Sequence, residues 1–433
     1  VWEFSTEPEF AAKLEWALSF MENEVYPLET LEGVDERSFA GALEPLREQV
    51  KSMGLWAAHL GPEYGGQGYG SVQLGLLAEI TGRSSFGATV FGSQAPDAGN
   101  AELLAVAGDD EQRERWLEPL LAGRLKSAFS MTEPEVAGSD PTLLQTTARK
   151  DGAEWLIDGH KWFTSNGSVA DFLIAMVVTD PEAAPHKRAS MILVPTDSPG
   201  LEIVRDTPTM EDQLADPRRF RAGGYGHAEI VYDGVRVPEA NLLGDRGAGF
   251  ALAQLRLGPG RIQHCMRWLG QSQRAFDMLC ERAVSRFSHG SLLSEKGTVQ
   301  DWVAESAAEL LSARLMTLYA AWKLDMQGLS AARQEISMIK FHGARVLYNV
   351  IDRAIQVHGA LGFSTDMPLE SMYRNARAAR LYDGPDEVHR QSVARRILSG
   401  YAATDPPSEH VPTRRLAAQE RFGDLLAEVS ADL

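Results

Sequence analysis

Eight residues in the second half of the chain, Ile262, Met266, Leu269, Gln273, Phe276, Cys280, Ala283 and Phe287, fall at steps of 4-3-4-3-4-3-4. A strand, whose side chains alternate between faces, cannot use that spacing; a helix turns it into one continuous stripe. A near-heptad stripe of this length needs helical partners, so this part of the chain must be a bundle. Val299, Val303, Ala307, Leu310, Leu318 and Trp322 form a second stripe. Ile336, Ile339, Gly343, Val346, Val350, Ala354 and Val357 form a third. All three read as bundle core.

Upstream the period changes. Phe10, Leu14, Ala17 and Phe20, then Leu74, Leu77, Ala78 and Thr81, keep helical steps, with a turn-rich loop from Gly61 to Gly70 between them. From Lys126 to Leu242 the pattern is β. Asp151-Gly152 and Asp158-Gly159 punctuate Trp155 and Ile157 as turns between short strands. Asp171–Val178, Ser190–Val194, Leu201–Val204 and Ala228–Val231 are short Ile, Val and Leu-rich runs. The order is therefore α, β, α. The expectation is an α+β multidomain chain: an N-terminal helical domain over 1–124, a middle β-domain over 125–242 and a C-terminal four-helix bundle over 243–400. A tail over 401–433 passes through Asp405-Pro406-Pro407 into an amphipathic segment carrying Leu416, Phe422, Leu425 and Val429.

Composition narrows the function classes. The 433 residues carry 42 Lys plus Arg against 60 Asp plus Glu, a net charge of −18, which repels phosphate backbones and argues against a nucleic-acid partner. Cys265 and Cys280, the only two cysteines, cannot build a disulfide framework or a multi-cysteine metal site. His160, His227, His264, His289, His342, His358 and His389 are scattered without ligand spacing, so no metal is expected. The start, Val1 to Phe10, lacks the basic and apolar regions of a secretory signal. No window is apolar enough for a membrane span. A cytoplasmic protein is the expectation. Neither GxGxxG after a strand nor a Walker lysine loop is present, and Gly244–Gly249 fits neither pattern, which disfavours a Rossmann site. The nucleophile elbow G-x-S-x-G is absent as well.

Three segments carry a dense constellation. Met131-Thr-Glu-Pro-Glu-Val-Ala-Gly-Ser-Asp140 resembles the flavin-strand signature of the acyl-CoA dehydrogenase family. Gly159-His-Lys-Trp-Phe-Thr-Ser-Asn-Gly167 resembles that family's second flavin-contacting strand. Tyr382-Asp-Gly-Pro-Asp-Glu-Val-His-Arg390 resembles the segment holding the catalytic base, and Gln356-Val-His-Gly-Ala-Leu-Gly-Phe363 agrees too. Gly258-Pro-Gly-Arg-Ile262 and the 383–389 segment look like the branch of family members ten and eleven. Singly, Thr132 and Ser165 are ordinary strand residues and Phe163 an ordinary core aromatic; it is the combination that is specific.

The resemblance implies FAD as cofactor, contacted by Phe129, Met131, Thr132, Phe163, Thr164 and Ser165, with Phe163 against the ring face. It implies that Arg286 and the Gln356, Gly359 and Ala360 loop reach the FAD of a neighbouring subunit, making a homodimer or homotetramer, and that Ser288 is a further FAD contact. Glu387 is the remaining implied FAD contact. Ser139, Arg261 and Gly384 match substrate contacts for an acyl-CoA. Pro385 replaces a family threonine, and His289-Gly290 stands where many relatives have Phe before the glycine. The family's base is a glutamate at one of two places. Here those places hold Asp383 and Gly260, so Asp383 is the only carboxylate available. An aspartate serves as base in the superfamily's flavin nitroalkane oxidases.

The activity so implied is α,β-dehydrogenation of an acyl-CoA to the trans-2-enoyl-CoA, with Asp383 taking the α-proton and electrons leaving to an electron-transfer flavoprotein. Three alternatives stand beside it. They are redox-neutral elimination or isomerisation of 4-hydroxyacyl-CoA derivatives, a DNA-binding flavoprotein, which the charge opposes, and an oxidase.

Overall fold

A computed structural model describes residues 6–31, 36–210, 226–402 and 415–431. The chain forms two compact units, Val1–Arg390 and Gln391–Leu433. Among the described residues no helix is long and apolar enough to cross a membrane.

The N-terminal part is helical, as the spacing predicts. Pro8–Phe20 and Ser71–Thr81 are helices, and Phe10, Ala17 and Phe20 pack with Phe39, Leu43, Phe86 and Phe91 in one apolar cluster. The Gly61–Gly70 loop contains one short 3₁₀ turn, Pro62–Tyr64.

The middle part is an eight-stranded sheet. Its strands are β1 (Ser127–Ser130), β2 (Thr147–Asp151), β3 (Glu154–Ser165), β4 (Phe172–Val178), β5 (Ala189–Pro195), β6 (Leu201–Thr207), β7 (His227–Pro238) and β8 (Leu242–Leu243). The order is β6-β7-β3-β2-β4-β5-β8, and β1 pairs in parallel with β4. β4 reads as an unbroken apolar run because both its faces are covered. Phe172, Ile174 and Met176 meet Leu103, Leu104, Trp116 and Leu117, while Leu173, Ala175 and Val177 meet Ile230, Val235 and Val237. Two expectations change here. β3 and β7 are twelve residues each rather than short. Asp151-Gly152 does turn, but Asp158-Gly159 lies inside β3 at a register shift. The Asp158 carboxylate accepts the Gly234 N–H of β7 at 2.8 Å, so it ties two strands together instead of closing a turn.

The C-terminal helices are Gly249–Ser285, Gly297–His358, Leu369–Ala378 and Asp386–Leu398. Gly297–His358 bends at Gly328, whose φ of 80° separates the second and third stripes. Ile262, Met266, Leu269 and Ala283 are buried with Leu310, Leu318, Ile336, Ile339, Val346 and Val350. Phe287, the last member of the first stripe, escapes this core. The helix ends at Ser285, and Phe287 enters a two-residue ladder with its ring 64% exposed. The helix runs unbroken through Gly258-Pro259-Gly260. Gly258 is there for space, since a Cβ would lie 2.6 Å from Leu329 Cδ1. In the second unit Arg415–Ala431 is helical except at Phe422. Asp405-Pro406-Pro407 lies outside the described residues.

Candidate active site

The two strand segments are joined through one buried lysine. Lys161 Nζ donates to Met131 O, Met176 O and Glu133 Oε1, each at 2.8 Å. Glu133 in turn accepts the Gln145 and Thr146 N–H groups at 2.7 and 2.9 Å. Burial pushes Lys161 down to about 8 against the pull of Glu133. Burial also opposes the Glu133 charge, but Lys161 outweighs it and holds that carboxyl low. The pair pins Met131–Glu133 beside β3, and the Trp162 N–H donates to Thr132 O at 3.0 Å.

At the next residue β3 bulges. A register shift falls between Lys161 and Thr164, and Phe163 takes a left-handed φ of 49°. That turn presents its ring outward, 42% exposed, edge-on to Trp162 at 4.9 Å. Thr164 points inward, donating to Ser130 Oγ at 3.3 Å. Ser165 Oγ bonds His227 Nδ1 at 2.9 Å.

Asp383 occupies the turn before the Asp386–Leu398 helix with φ 55°, followed by Gly384 at 98°. A left-handed aspartate is uncommon and persists only where its surroundings hold it. Here Arg261 Nε and His389 Nε2 both donate to the Asp383 carbonyl, at 3.0 and 3.1 Å. Lys340 ties the flanking carbonyls of Ala379 and Gly384, and Trp268 Nε1 donates to Tyr382 OH at 2.9 Å. The carboxylate itself reaches His264 Nε2 at 3.3 Å and stays 20% exposed. Burial opposes its charge, but the surrounding side chains of His264, Arg261, Arg256 and Lys340 together prevail and hold it below the ordinary carboxylate value. His264 is pushed down to about 3, by burial first and then Arg267. The ring is therefore neutral near pH 7. It offers a dipole, and the arginines and Lys340 supply the charge.

Arg256 links the two halves of the site. Its guanidinium lies 4.4 Å over the Phe129 ring of β1 and within electrostatic reach of Asp383 and Glu102. Gly99 makes room for it, since a Cβ there would sit 2.6 Å from Nε. Its Nε is buried with no partner, and it makes no hydrogen bond among the described residues.

The other sequence-derived candidates make no hydrogen bond or ion pair with these groups among the described residues. Ser139 is exposed in the loop ending at Asp140. Arg286, Gln356, Gly359, Ala360 and Glu387 are exposed and Ser288 partly so, and the Arg286 and Gln356 side chains make no hydrogen bond among the described residues. Sequence reasoning passed over Arg256, His264, Arg267, Lys340 and His389. One signal was available. Arg261, His264 and Arg267 are spaced three apart, which puts them on one helix face.

With this geometry in view, comparison with known proteins is decisive. The family models described as acyl-CoA dehydrogenase N-terminal, middle and C-terminal domains match residues 8–124, 128–214 and 247–398. The chain belongs to the acyl-CoA dehydrogenase family. A Mycobacterium tuberculosis relative described as a probable acyl-CoA dehydrogenase, FadE2, is 46% identical over 84% of this chain and 87% of its own. Acyl-CoA dehydrogenase family member 10 of Mus musculus is 41% identical over 91% of this chain but 37% of its own, so this chain spans well under half of that relative. Among solved structures, one assigned to the acyl-CoA dehydrogenases, from Mycobacterium abscessus, superposes with a TM-score of 0.84 at 38% identity, covering 92% of this chain and 100% of the other. A glutaryl-CoA dehydrogenase from Mycobacterium smegmatis, 23% identical with a TM-score of 0.75 over 92% and 96% of the two chains, shares the fold and was solved with FADH2.

As an acyl-CoA dehydrogenase the protein is an oxidoreductase that uses FAD. The residues present fit a flavin. The outward Phe163 ring, backed by Trp162, leaves an aromatic face for a planar partner, beside the partly exposed Met131, Thr132 and Ser165.

Proposed function

We propose that the protein removes the α-proton and β-hydride of an acyl-CoA thioester, with Asp383 as the base, giving the trans-2-enoyl-CoA. The supporting observation is an ionised, one-fifth exposed carboxylate in a turn clamped by Arg261 and His389. FAD supplies the hydride acceptor for the β-carbon, held along Met131, Thr132, Phe163 and Ser165 with the Thr164 main chain. Asp383 accepts the α-proton as the carbanion develops. Its own backbone N–H, unpartnered among the described residues, is free to polarise the thioester carbonyl. Arg261 spends only Nε on the turn, so its remaining N–H groups can orient the CoA-bearing substrate.

A second reading rests on Arg256. A purely alkyl tail gives a buried guanidinium nothing to bind, whereas an oxygen-bearing acyl group gives it an acceptor. That favours 4-hydroxyacyl-CoA derivatives, and with them redox-neutral elimination or isomerisation. Anaerobic mixing of the holoprotein with saturated and 4-hydroxylated acyl-CoAs separates the two. Bleaching with a saturated substrate supports dehydrogenation; product without net bleaching from the 4-hydroxylated series supports the second. Arg256→Met should shift preference towards unsubstituted chains by ~10-fold, the scale of one charged hydrogen bond. No bleaching and no product across the panel overturns both.

Transfer of the electrons to an electron-transfer flavoprotein belongs to the dehydrogenase reading and is checked by reduction of that partner. The proposed homodimer or homotetramer is supported by Phe287, Leu311, Met326 and Phe363, all more than half exposed, together with the exposed Arg286 and Gln356, whose side chains make no hydrogen bond among the described residues. Sedimentation of the holoprotein as a monomer would contradict it.

A further inference from the structure

Asp383 is one methylene shorter than glutamate and sits on a left-handed backbone, so something must aim its carboxylate. We propose that Arg267 and His264 form a fixed-tautomer relay that does this, making His264 a positioning residue for the proton transfer. The inference rests on the reading of Asp383 as the base.

The argument starts from what each group can donate. Arg267 Nη2 lies 3.0 Å from His264 Nδ1, and Arg267 Nη1 reaches Ser93 O at 3.4 Å. A guanidinium only donates, so Nδ1 must present its lone pair. The single ring proton is then on Nε2, which faces Asp383 Oδ2 at 3.3 Å. The ring lies beside the Trp268–Tyr382 pair, with centroids at 6.3 and 5.3 Å, and those two are themselves joined by a hydrogen bond. The Nε2 approach is within ion-pair distance of one carboxylate oxygen, short of hydrogen-bond geometry, and it leaves the other oxygen for the α-proton.

A neutral donor suits this task better than an imidazolium. A full positive charge at that distance would depress the basicity Asp383 needs. The groups around the ring are Arg256, Arg267, Lys340 and Asp383, and those around the carboxylate add Arg261, Cys265 and His389. The cations dominate this set and, after burial, keep His264 neutral. The same depression makes His264 too weak a base to take the proton itself. His264 therefore acts through Asp383.

The test uses the holoprotein and two variants. His264→Leu removes the donor; His264→Gln keeps an amide N–H near the Nε2 position. Stopped-flow flavin reduction by the best acyl-CoA should slow ~10-fold in His264→Leu, the scale of one hydrogen bond to a charged group once this 3.3 Å approach tightens in the substrate complex. Substrate affinity should change less than about twofold, because the lost interaction acts on the base. The acid limb of the rate profile should move up by about one pH unit, and His264→Gln should recover most of the rate. A second readout is independent of turnover. Long-range ¹H–¹⁵N spectra of histidine-labelled holoprotein, with His264 assigned by difference against His264→Gln, should show a neutral ring protonated at Nε2 from pH 5.5 to pH 8.5. Wild-type rates and profile in His264→Leu overturn the proposal, as does a ring protonated at Nδ1 or charged in that range. If His264→Leu does not fold, the spectra and His264→Gln still decide. Failure of the base reading looks different: Asp383→Asn would then reduce its flavin at the wild-type rate, whatever the tautomer.

Discussion

Lys161 and Asp383 are both charges taken into the protein, and they are treated in opposite ways. Lys161 is fully buried, and its three N–H donors meet three oxygens at 2.8 Å. Nothing is left over. Asp383 keeps a fifth of its side chain open among a surplus of cations, one of which, Arg256, makes no hydrogen bond among the described residues. A buried charge with every partner supplied serves the fold, since leaving one out would cost several kcal/mol. A cluster left incomplete is reserved for a ligand. The difference separates the scaffold of this site from its chemistry.

The sharpest way to break that comparison is at the closed end. Lys161→Met leaves the Glu133 charge buried without its partner and should destabilise the protein by about 3–5 kcal/mol. Urea unfolding measures this, and Lys161→Met with Glu133→Leu should recover part of the loss. A smaller effect is expected at the turn. Gly384→Ala places a Cβ 2.8 Å from His389 Nε2 on a φ of 98°, costing about 1–3 kcal/mol and displacing the base, so flavin reduction should fall with stability. The smallest tests the open end by pH. Glu102, beside Arg256, is pushed up to about 7, by burial first and with Arg256 opposing. A carboxyl raised on folding lends stability below its ordinary value and loses it as pH climbs through the raised one. Glu102→Gln should therefore raise Tm by about 1–3 °C at pH 8.5 and by less at pH 5, read by calorimetry.

Much of this molecule was legible from its residues. Periodicity marked the two helical parts, because core-facing side chains on a helix repeat every 3.6 residues, and turn punctuation with Ile, Val and Leu-rich runs marked the β part between them. It failed where a residue served something other than local periodicity. Phe287 continued a stripe in sequence but lies beyond the helix end, and Asp158-Gly159 had turn composition but bonds across to β7. At the site, Asp383 and Arg261 were found through the family's motifs, and the structure brings them into contact. Arg256, Lys340 and His389 were missed because their significance lies in what they approach across the fold. His264 has no metal-ligand spacing, and its role comes from Arg267 on its own helix and from Asp383 across the fold. Its three-residue step from Arg261 and Arg267 was the overlooked clue.

The central claim is that Asp383 takes the α-proton. Asp383→Asn keeps shape and hydrogen bonding while removing basicity, so the variant should retain FAD and bind acyl-CoA. Stopped-flow bleaching of its flavin by the best wild-type substrate should be slower by about 10²-fold or more, in line with general-base contributions. Bleaching at the wild-type rate would make Asp383 a turn residue and place the base elsewhere.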